Sequence, residues 1–479
     1  MQINLRGIFI QYGVIKIETI EMEVDYKNIG LKVGLEVHQE ISGKKLFCSC
    51  STDLKEKNKS IEFMRKIRSS KGETGQLDTA SLYEEEKNKE FIYYGYEGEY
   101  CLVETDDDPP HEINHDALIV ALSVAKLFNL KIPDVLFVMR KVISDGSVVS
   151  GFQRSLLVGY GTNESFIETS LGKVRIKDLY LEEDAAKIIK QESNKIYFSL
   201  SRAGIPLLEI GTQSDIKTPE HAKETAEKIG MILRSFPNIK RGLGTIRQDV
   251  NLSIRNGNRV EIKGFQELRM IPKIIDYEIQ RQLNIIKQGK KVEQEVRKAN
   301  EDGSTSFLRP LPGAARMYPE TDIISTKITS NLIKDIILPK LIHEQVKELQ
   351  TKYNLSSELS NTLINERINF DYYTDKYKNI NKSLLASLLI KHYNENNLEN
   401  ALSLLNSGKI TKDVFDEAIK GNVDLKKVNL NEVENEIKKI IKENPELSVN
   451  AIMGMLMKKY KGKVEGKKLI ELINKFSTK

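Results

Sequence analysis

The residues from Arg247 to Lys263 constrain the fold more than any other stretch of the chain. Val250, Leu252 and Ile254 alternate there with Arg247, Asp249, Asn251, Ser253 and Arg255. Asn256-Gly257 follows, and then Val260 and Ile262 alternate with Arg259, Glu261 and Lys263. Period-two alternation on both sides of Asn-Gly is the strongest short-range sign of a β-hairpin with one apolar and one polar face. A polar sheet face is ordinarily just hydrated. This one carries acids, bases and an amide, and the same grammar recurs elsewhere. Over residues 33–38, Val33, Leu35 and Val37 share a face, which leaves Glu36 and His38 side by side on the other. Such a pair either shares a divalent metal or is simply hydrogen-bonded at a sheet surface. Residues 181–184 (Leu-Glu-Glu-Asp) and 206–210 (Pro-Leu-Leu-Glu-Ile) set Glu182, Glu183 and Glu209 within apolar, strand-like runs. Buried carboxylates are costly unless paired with a cation, so several of them converging suggest Mg²⁺ and phosphate chemistry. Arg247 and Lys263 beside them would suit phosphates.

Two helices stand out among these strands. One is expected from about His115 to Leu130, with Leu118, Leu122, Ala125 and Phe128 on one side. The other opens at Thr218-Pro219, a hydroxyl cap followed by proline at the first helical position, and carries Ala222, Ala226, Ile229 and Leu233 before Pro237 stops it. This is an α+β pattern. After Ile323 the text turns helical, with no proline between Pro339 and Pro445 and a joint expected near Gly421. Beyond it Val449, Ile452, Met453, Leu456, Met457 and Tyr460 make the stripe of a short amphipathic helix, read here as core.

At 40% hydrophobic and 29% charged, the 479 residues fit neither wholesale disorder nor a membrane-embedded chain. The most apolar stretch, residues 117–130, is broken by Ser123 and Lys126 and is too short for a membrane span. Residues 421–479 hold 13 Lys against 8 acidic residues, which accounts for the whole net charge of +5. A basic end on a neutral body suits an anion-gripping appendage, with nucleic acid the first candidate and an anionic membrane the second; the plain alternative is a solvated helical end. Cys48, Cys50 and Cys101 are too few for a disulfide scaffold, which points to a reducing compartment, the cytoplasm. Structural zinc wants four ligands and Cys48-Ser49-Cys50 has no later Cys pair to complete them, so simple thiols are the first reading and zinc the second.

Seven segments carry a resemblance: GLEVHQE (34–40), CLVETDDDPPH (101–111), DGSVVSGFQR (145–154), LEEDAAK (181–187), GIPLLEI (204–210), RGLGTIRQDVNLSI (241–254) and LRPLPGAARMYPETDI (308–323). Together, in order and at compatible spacing, they resemble the GatB/GatE family of glutamyl-tRNA(Gln) amidotransferase subunits, in its archaeal E-type branch. The E-type assignment rests on GFQR and PGAARMYPETD. The resemblance implies an α+β protein: an antiparallel-sheet catalytic cradle over residues 29–330, a helical domain over 331–420, and a small basic tail over 421–479 that touches tRNA. Residues 1–28 are expected to be an extension, with Met22 a candidate for the true start.

The same resemblance implies the chemistry. The glutamyl side chain of glutamyl-tRNA(Gln) is phosphorylated by ATP with Mg²⁺, and ammonia then displaces phosphate to give glutaminyl-tRNA(Gln). Carried over by motif, Glu36, His38, Glu183 and Glu209 are the catalytic and metal-holding set, with Glu182 as a further metal ligand. Arg247, Asp249, Asn251, Glu261 and Lys263 serve nucleotide, metal or acceptor end. Lys458, Lys459, Lys461, Lys463, Lys467 and Lys468 are the implied tRNA contacts in the tail. No glutaminase or asparaginase nucleophile motif is evident, so ammonia is expected from an asparaginase-like D subunit in a two-plus-two assembly. Relatives of this type carry an inserted domain resembling part of an aspartyl-tRNA synthetase; here only residues 290–307 fill the interval. Two other classes stay open on the residues alone: a ligase acting on a small carboxylate, and a non-catalytic tRNA scaffold.

Overall fold

The alternation read above becomes strand pairing in the first of two compact units, residues 1–339. The computed structural model describes residues 24–69, 71, 75–265, 267–311, 313, 317–421, 430–460 and 466–477. The extension's proposed start at Met22 lies outside them. Among the described residues eleven strands form one sheet. In chain order they are β1 (Lys32–Glu40), β2 (Val138–Val142), β3 (Phe152–Tyr160), β4 (Phe166–Thr169), β5 (Gly172–Glu183), β6 (Pro206–Thr212), β7 (Ile246–Ser253), β8 (Val260–Phe265), β9 (Glu295–Ala299), β10 (Thr305–Pro310) and β11 (Met317–Pro319). Across the sheet they run β10-β9-β8-β7-β1-β6-β5-β3-β2-β11, with β4 added to β5.

The expected hairpin is β7–β8, with Val250 opposite Ile262, Leu252 opposite Val260, and Asn256 in the left-handed region at φ 64°. The apolar face of the sheet is buried under three helices: α1 (His115–Leu127), α2 (Pro219–Arg234) and α3 (Ile271–Lys287). Val33, Leu35, Val37, Leu208, Ile210, Val250 and Ile262 join Leu122, Ile229 and Ile275 in this core. Helix α1 ends short of the expected Leu130 because Asn129 turns left-handed, at φ 54°. Helix α2 starts as expected, the Thr218 hydroxyl accepting from the His221 amide.

The sheet is mixed, which corrects the expectation of an antiparallel one. Strands β8 and β9 run parallel. Parallel neighbours cannot be joined by a tight turn, and α3 supplies the crossover. The interval expected to lack an inserted domain holds the antiparallel pair β9–β10, closed by a short turn in which the Asn300 amide donates to the Ser304 carbonyl and Gly303 sits at φ 87°. A smaller sheet pairs Lys59–Arg65, Glu90–Tyr96, Lys195–Ser199 and Lys187–Gln191 in that order, over a core of Phe91, Tyr93, Ile196 and Phe198.

The second unit, residues 340–479, is helical among its described residues. One core gathers Leu363, Phe370, Leu385, Leu389, Leu402 and Phe415. Another gathers Val433, Ile437, Ile452, Leu456, Tyr460, Leu469 and Ile473 from the helices Leu430–Glu443, Val449–Tyr460 and Gly466–Ser477. The amphipathic stripe is therefore core; the Met457 side chain lies outside the described residues. No helix among the described residues is long and apolar enough to cross a membrane.

Candidate active site

With the apolar face sealed by helices, the polar side chains of five adjacent strands are held together on the other face. Registry fixes who meets whom: His38 on β1 lies opposite Glu209 on β6 and Arg247 on β7, and Glu36 lies opposite Gly211 and Asp249. Asn251 on β7 lies opposite Glu261 on β8. The His38 ring nitrogen Nε2 is 3.2 Å from Glu209 Oε2. Lys141 from β2 reaches across, 2.7 Å from Glu182 Oε1 and 3.6 Å from Glu209 Oε2. At the other end Lys263 Nζ is 2.7 Å from Asp249 and 2.6 Å from Glu261. Asn251 Nδ2 donates to Glu36 Oε1 at 3.0 Å, and its own Oδ1 accepts from Arg259 Nε.

The electrostatics show crowded acid in a poorly hydrated place. Burial, with Glu209 and Glu261 nearby, pushes the Glu36 carboxyl up to about 7. Burial also raises Glu182, helped by the negative charge of Glu209. Glu209 resists the same burial because Lys141 and the His38 hydrogen bond hold it well below the ordinary carboxylate range. For His38 burial works against the charged ring, but the bond to Glu209 outweighs it and its proton affinity rises. Oxygen atoms of Glu36, Asp249 and Glu261 all lie within 4.8 Å of one another. Such an all-oxygen, acid-rich set fits a hard divalent cation such as Mg²⁺.

Two adjoining hollows of about 700 and 540 Å³ open over these residues and share Glu36, Lys141, Glu182, Glu209 and Arg259 in their walls. Gly211, opposite Glu36 in the wall of the first, lets the Asp178 carboxylate approach the strand, since a Cβ there would fall 2.2 Å from Asp178 Oδ1. Arg309 lines the second, and its Nε is buried without a partner among the described residues.

Not every expected residue joins this trough. Glu183, one position from Glu182, alternates away; its carboxylate takes the Arg154 amide at 3.1 Å and lies 3.4 Å from the Arg154 guanidinium, lining a separate small hollow. The expected grouping of Glu183 with Glu36 and Glu209 is thus corrected: period-two geometry puts Glu182 on their face instead. Arg247 lines the second hollow while gripping Asp184 through Nη2, at 2.9 and 3.0 Å. Sequence reading missed Lys141, whose strand Val138-Met139-Arg140-Lys141-Val142 lacks clean alternation. It also missed that Arg154 binds Glu320 at 2.9 Å, so that the GFQR, LEED and PETD segments meet in one buried ion network. In the tail, Lys459 pairs with Glu436 and Lys468 with Glu471. Lys461 and Lys463 lie outside the described residues, as do the side chains of Lys458 and Lys467.

Fold and site together define a class: an α+β domain with one sheet face sealed by helices and the other open as a cation-seeking trough. The model of the GatB/GatE catalytic domain matches residues 31–334. The chain is also similar to archaeal proteins named as the E-type subunit of glutamyl-tRNA(Gln) amidotransferase. It is 33% identical to that of Methanocaldococcus jannaschii, covering 95% of this chain and 99% of the relative. To those of Archaeoglobus fulgidus and Methanosarcina barkeri it is 32% and 31% identical, covering 94% of this chain and 98% of each relative. The chain belongs to the GatB/GatE family. The alignment with the first of these relatives spans 628 positions against 479 residues here, consistent with a missing inserted domain.

Proposed function

We propose that this chain is the subunit of a tRNA-dependent amidotransferase that converts glutamyl-tRNA(Gln) to glutaminyl-tRNA(Gln), an ATP-dependent carbon–nitrogen ligase. The observation that carries the reading is the convergence of Glu36, His38, Glu182, Glu209, Asp249 and Glu261 with Lys141 and Lys263 on one walled sheet face. A carboxylate is a poor electrophile. An oxygen of the glutamyl carboxylate attacks the γ-phosphorus of ATP, ADP leaves, and ammonia then attacks the acyl carbon as phosphate departs and a proton is lost. Phosphoryl transfer depends on positioning and charge neutralisation rather than covalent help from the protein. Lys141, Lys263 and Arg309 hold the phosphates, and Glu209 keeps the His38 ring oriented toward the acceptor. Glu36, Asp249 and Glu261, with Glu182 and Glu209 as the neighbouring acids, are the residues that would hold Mg²⁺, which when bound neutralises and aligns the terminal phosphates.

The asparaginase-like D subunit supplies ammonia in this reading, in a two-plus-two assembly. Residues 29–330, 331–420 and 421–479 act as cradle, helical domain and tRNA-binding tail. The deciding experiment supplies the chain with ATP, Mg²⁺ and ammonium chloride, and either glutamyl-tRNA(Gln) or free glutamate. Amide formation on the charged tRNA alone is expected. Turnover of free glutamate would favour a small-molecule ligase, and no ATP turnover with either would leave a tRNA scaffold.

A further inference from the structure

Strands β10 and β11 lie at opposite edges of the ten-strand path through the sheet, yet only residues 311–316 join them. In a flat sheet, strand gaps of about 4.8 Å would put those edges roughly 43 Å apart. The chain from Pro310 to Met317 reaches about 25 Å at most. The sheet is therefore curled, and the connection borders the hollows that the curl encloses: Arg309 and Leu311 line the second, Met317 the first, and Gly313 both.

Gly313 is held by Asp78. Asp78 Oδ1 accepts the Gly313 amide at 2.7 Å and Oδ2 accepts the Ser81 amide at 3.0 Å, so one carboxylate ties down the connection and caps the helix Thr79–Glu86. The residue is buried, and 235 positions separate it from Gly313. Its helix is seated on the edge of the sheet, Tyr83 meeting Phe307 of β10 edge-on with ring centroids 5.9 Å apart. Capping alone asks for one acceptor, which a hydroxyl supplies without burying a charge. The second oxygen serves the trough. We propose that Asp78 is a positioning residue for the amidation: it holds the Gly313 backbone as a wall common to both hollows and so keeps water from the activated glutamyl group. The inference rests on the amidotransferase reading above.

An acyl phosphate has two fates. Ammonia attacks the acyl carbon, phosphate leaves, a proton is lost and the amide forms. Alternatively water attacks the same carbon, phosphate leaves, a proton is lost and the glutamyl carboxylate is restored, with ATP cleaved and no amide made. Water far outnumbers ammonia, so the outcome depends on excluding it. Loss of folded protein lowers ATP cleavage and amide formation alike, whereas a displaced wall changes their ratio.

Asp78→Ser keeps an acceptor for the Ser81 amide and removes the one for Gly313. With glutamyl-tRNA(Gln), ATP, Mg²⁺ and ammonium chloride, ATP cleaved per amide formed should rise several-fold over the unaltered chain. Hydrogen exchange should show the Gly313 amide exchanging faster by a factor of about ten or more, as loss of a bond to a charged acceptor requires, with the helix 79–86 exchanging as before. Asp78→Asn, isosteric but with one acceptor oxygen in place of two, should move both readouts the same way by less, and decides the matter should the serine variant fail to fold. Unchanged exchange at Gly313, or faster exchange at an unchanged ratio, overturns the proposal on a chain that is active. An unaltered chain that cleaves no ATP with the charged tRNA sinks the amidotransferase reading, and the positioning role with it, whatever the exchange shows.

Discussion

At the residue scale the trough is governed by how its acids share too few cations. Glu209 has Lys141 and His38 close by, whereas Glu36 accepts from the Asn251 amide at 3.0 Å, feels Lys263 and His38 only through longer-range attraction that burial outweighs, and carries a carboxyl raised to about 7. Two consequences differ in sign. Glu209→Gln removes the carboxylate that orients His38, so ammonium-dependent amidation should fall by a factor on the order of 10²–10³ while tRNA affinity stays unchanged; amide formation retained in this variant would remove Glu209 from the site. For Glu36 the folded value lies above the ordinary 4.5, so between about 4.5 and 7 the folded chain binds more protons than the unfolded one. Stability must then fall as pH rises through that window, by at most about 3 kcal/mol from this group. Thermal unfolding without divalent cations should show a lower midpoint at pH 8 than at pH 5.5, with Glu36→Gln flattening the dependence and Mg²⁺ restoring stability to the unaltered chain at pH 8. Alternation in the sequence is enough to place Glu36 and His38 on one face, and likewise Asp249 with Asn251. It says nothing of Lys141, because an acid's partner on a distant strand leaves no local pattern, and at Glu182-Glu183 the period offers either residue until the strand's phase is fixed by pairing.

At the scale of elements, strands β2, β3 and β5 and the segment after β11 are tied by one buried network. Arg154 on β3 faces both Glu183 and Glu320, while Arg140 on β2 grips Glu320 and Asp322. Glu320 is held down to about 2: burial would raise it, but Arg140 foremost, then the Asp322 amide and Arg154, outweigh that effect. Removing one member leaves uncompensated buried charge, which costs about 3–5 kcal/mol. Arg154→Met should therefore lower the urea midpoint strongly, and Arg154→Met combined with Glu320→Gln should cost less than the two changes summed. Additive losses would show that the pair does not act as a unit. The hairpin at Asn256-Gly257 and the cap at Thr218 are legible in the sequence because each is a local signal. Strand order is not: β1 lies between β6 and β7, whose residues are far along the chain, and the parallel β8–β9 pair depends on α3 packing back onto the sheet. Period alone gives each strand two faces but no neighbours.

At the scale of the whole molecule, charge is distributed by unit rather than spread. The residues before 421 are balanced, and the surplus of +5 lies in the last 59 residues. Part of that surplus is already engaged, since Lys459 and Lys468 bind Glu436 and Glu471 on the tail itself. Exposed pairs of this kind are weak, so an incoming phosphate can compete for the lysines at little cost. The helices of the tail have their own core, so removing residues 422–479 should leave the cradle's sheet and trough intact. If the tail grips tRNA through its lysines, the truncated chain should bind glutamyl-tRNA(Gln) more weakly and with a shallower dependence of log affinity on log salt, because fewer counterions are released. Its maximal rate of ammonium-dependent amidation at saturating tRNA should be unchanged. A truncation that leaves both affinity and salt slope where they were would assign recognition to the cradle and reduce the tail's basic surplus to a solvated surface.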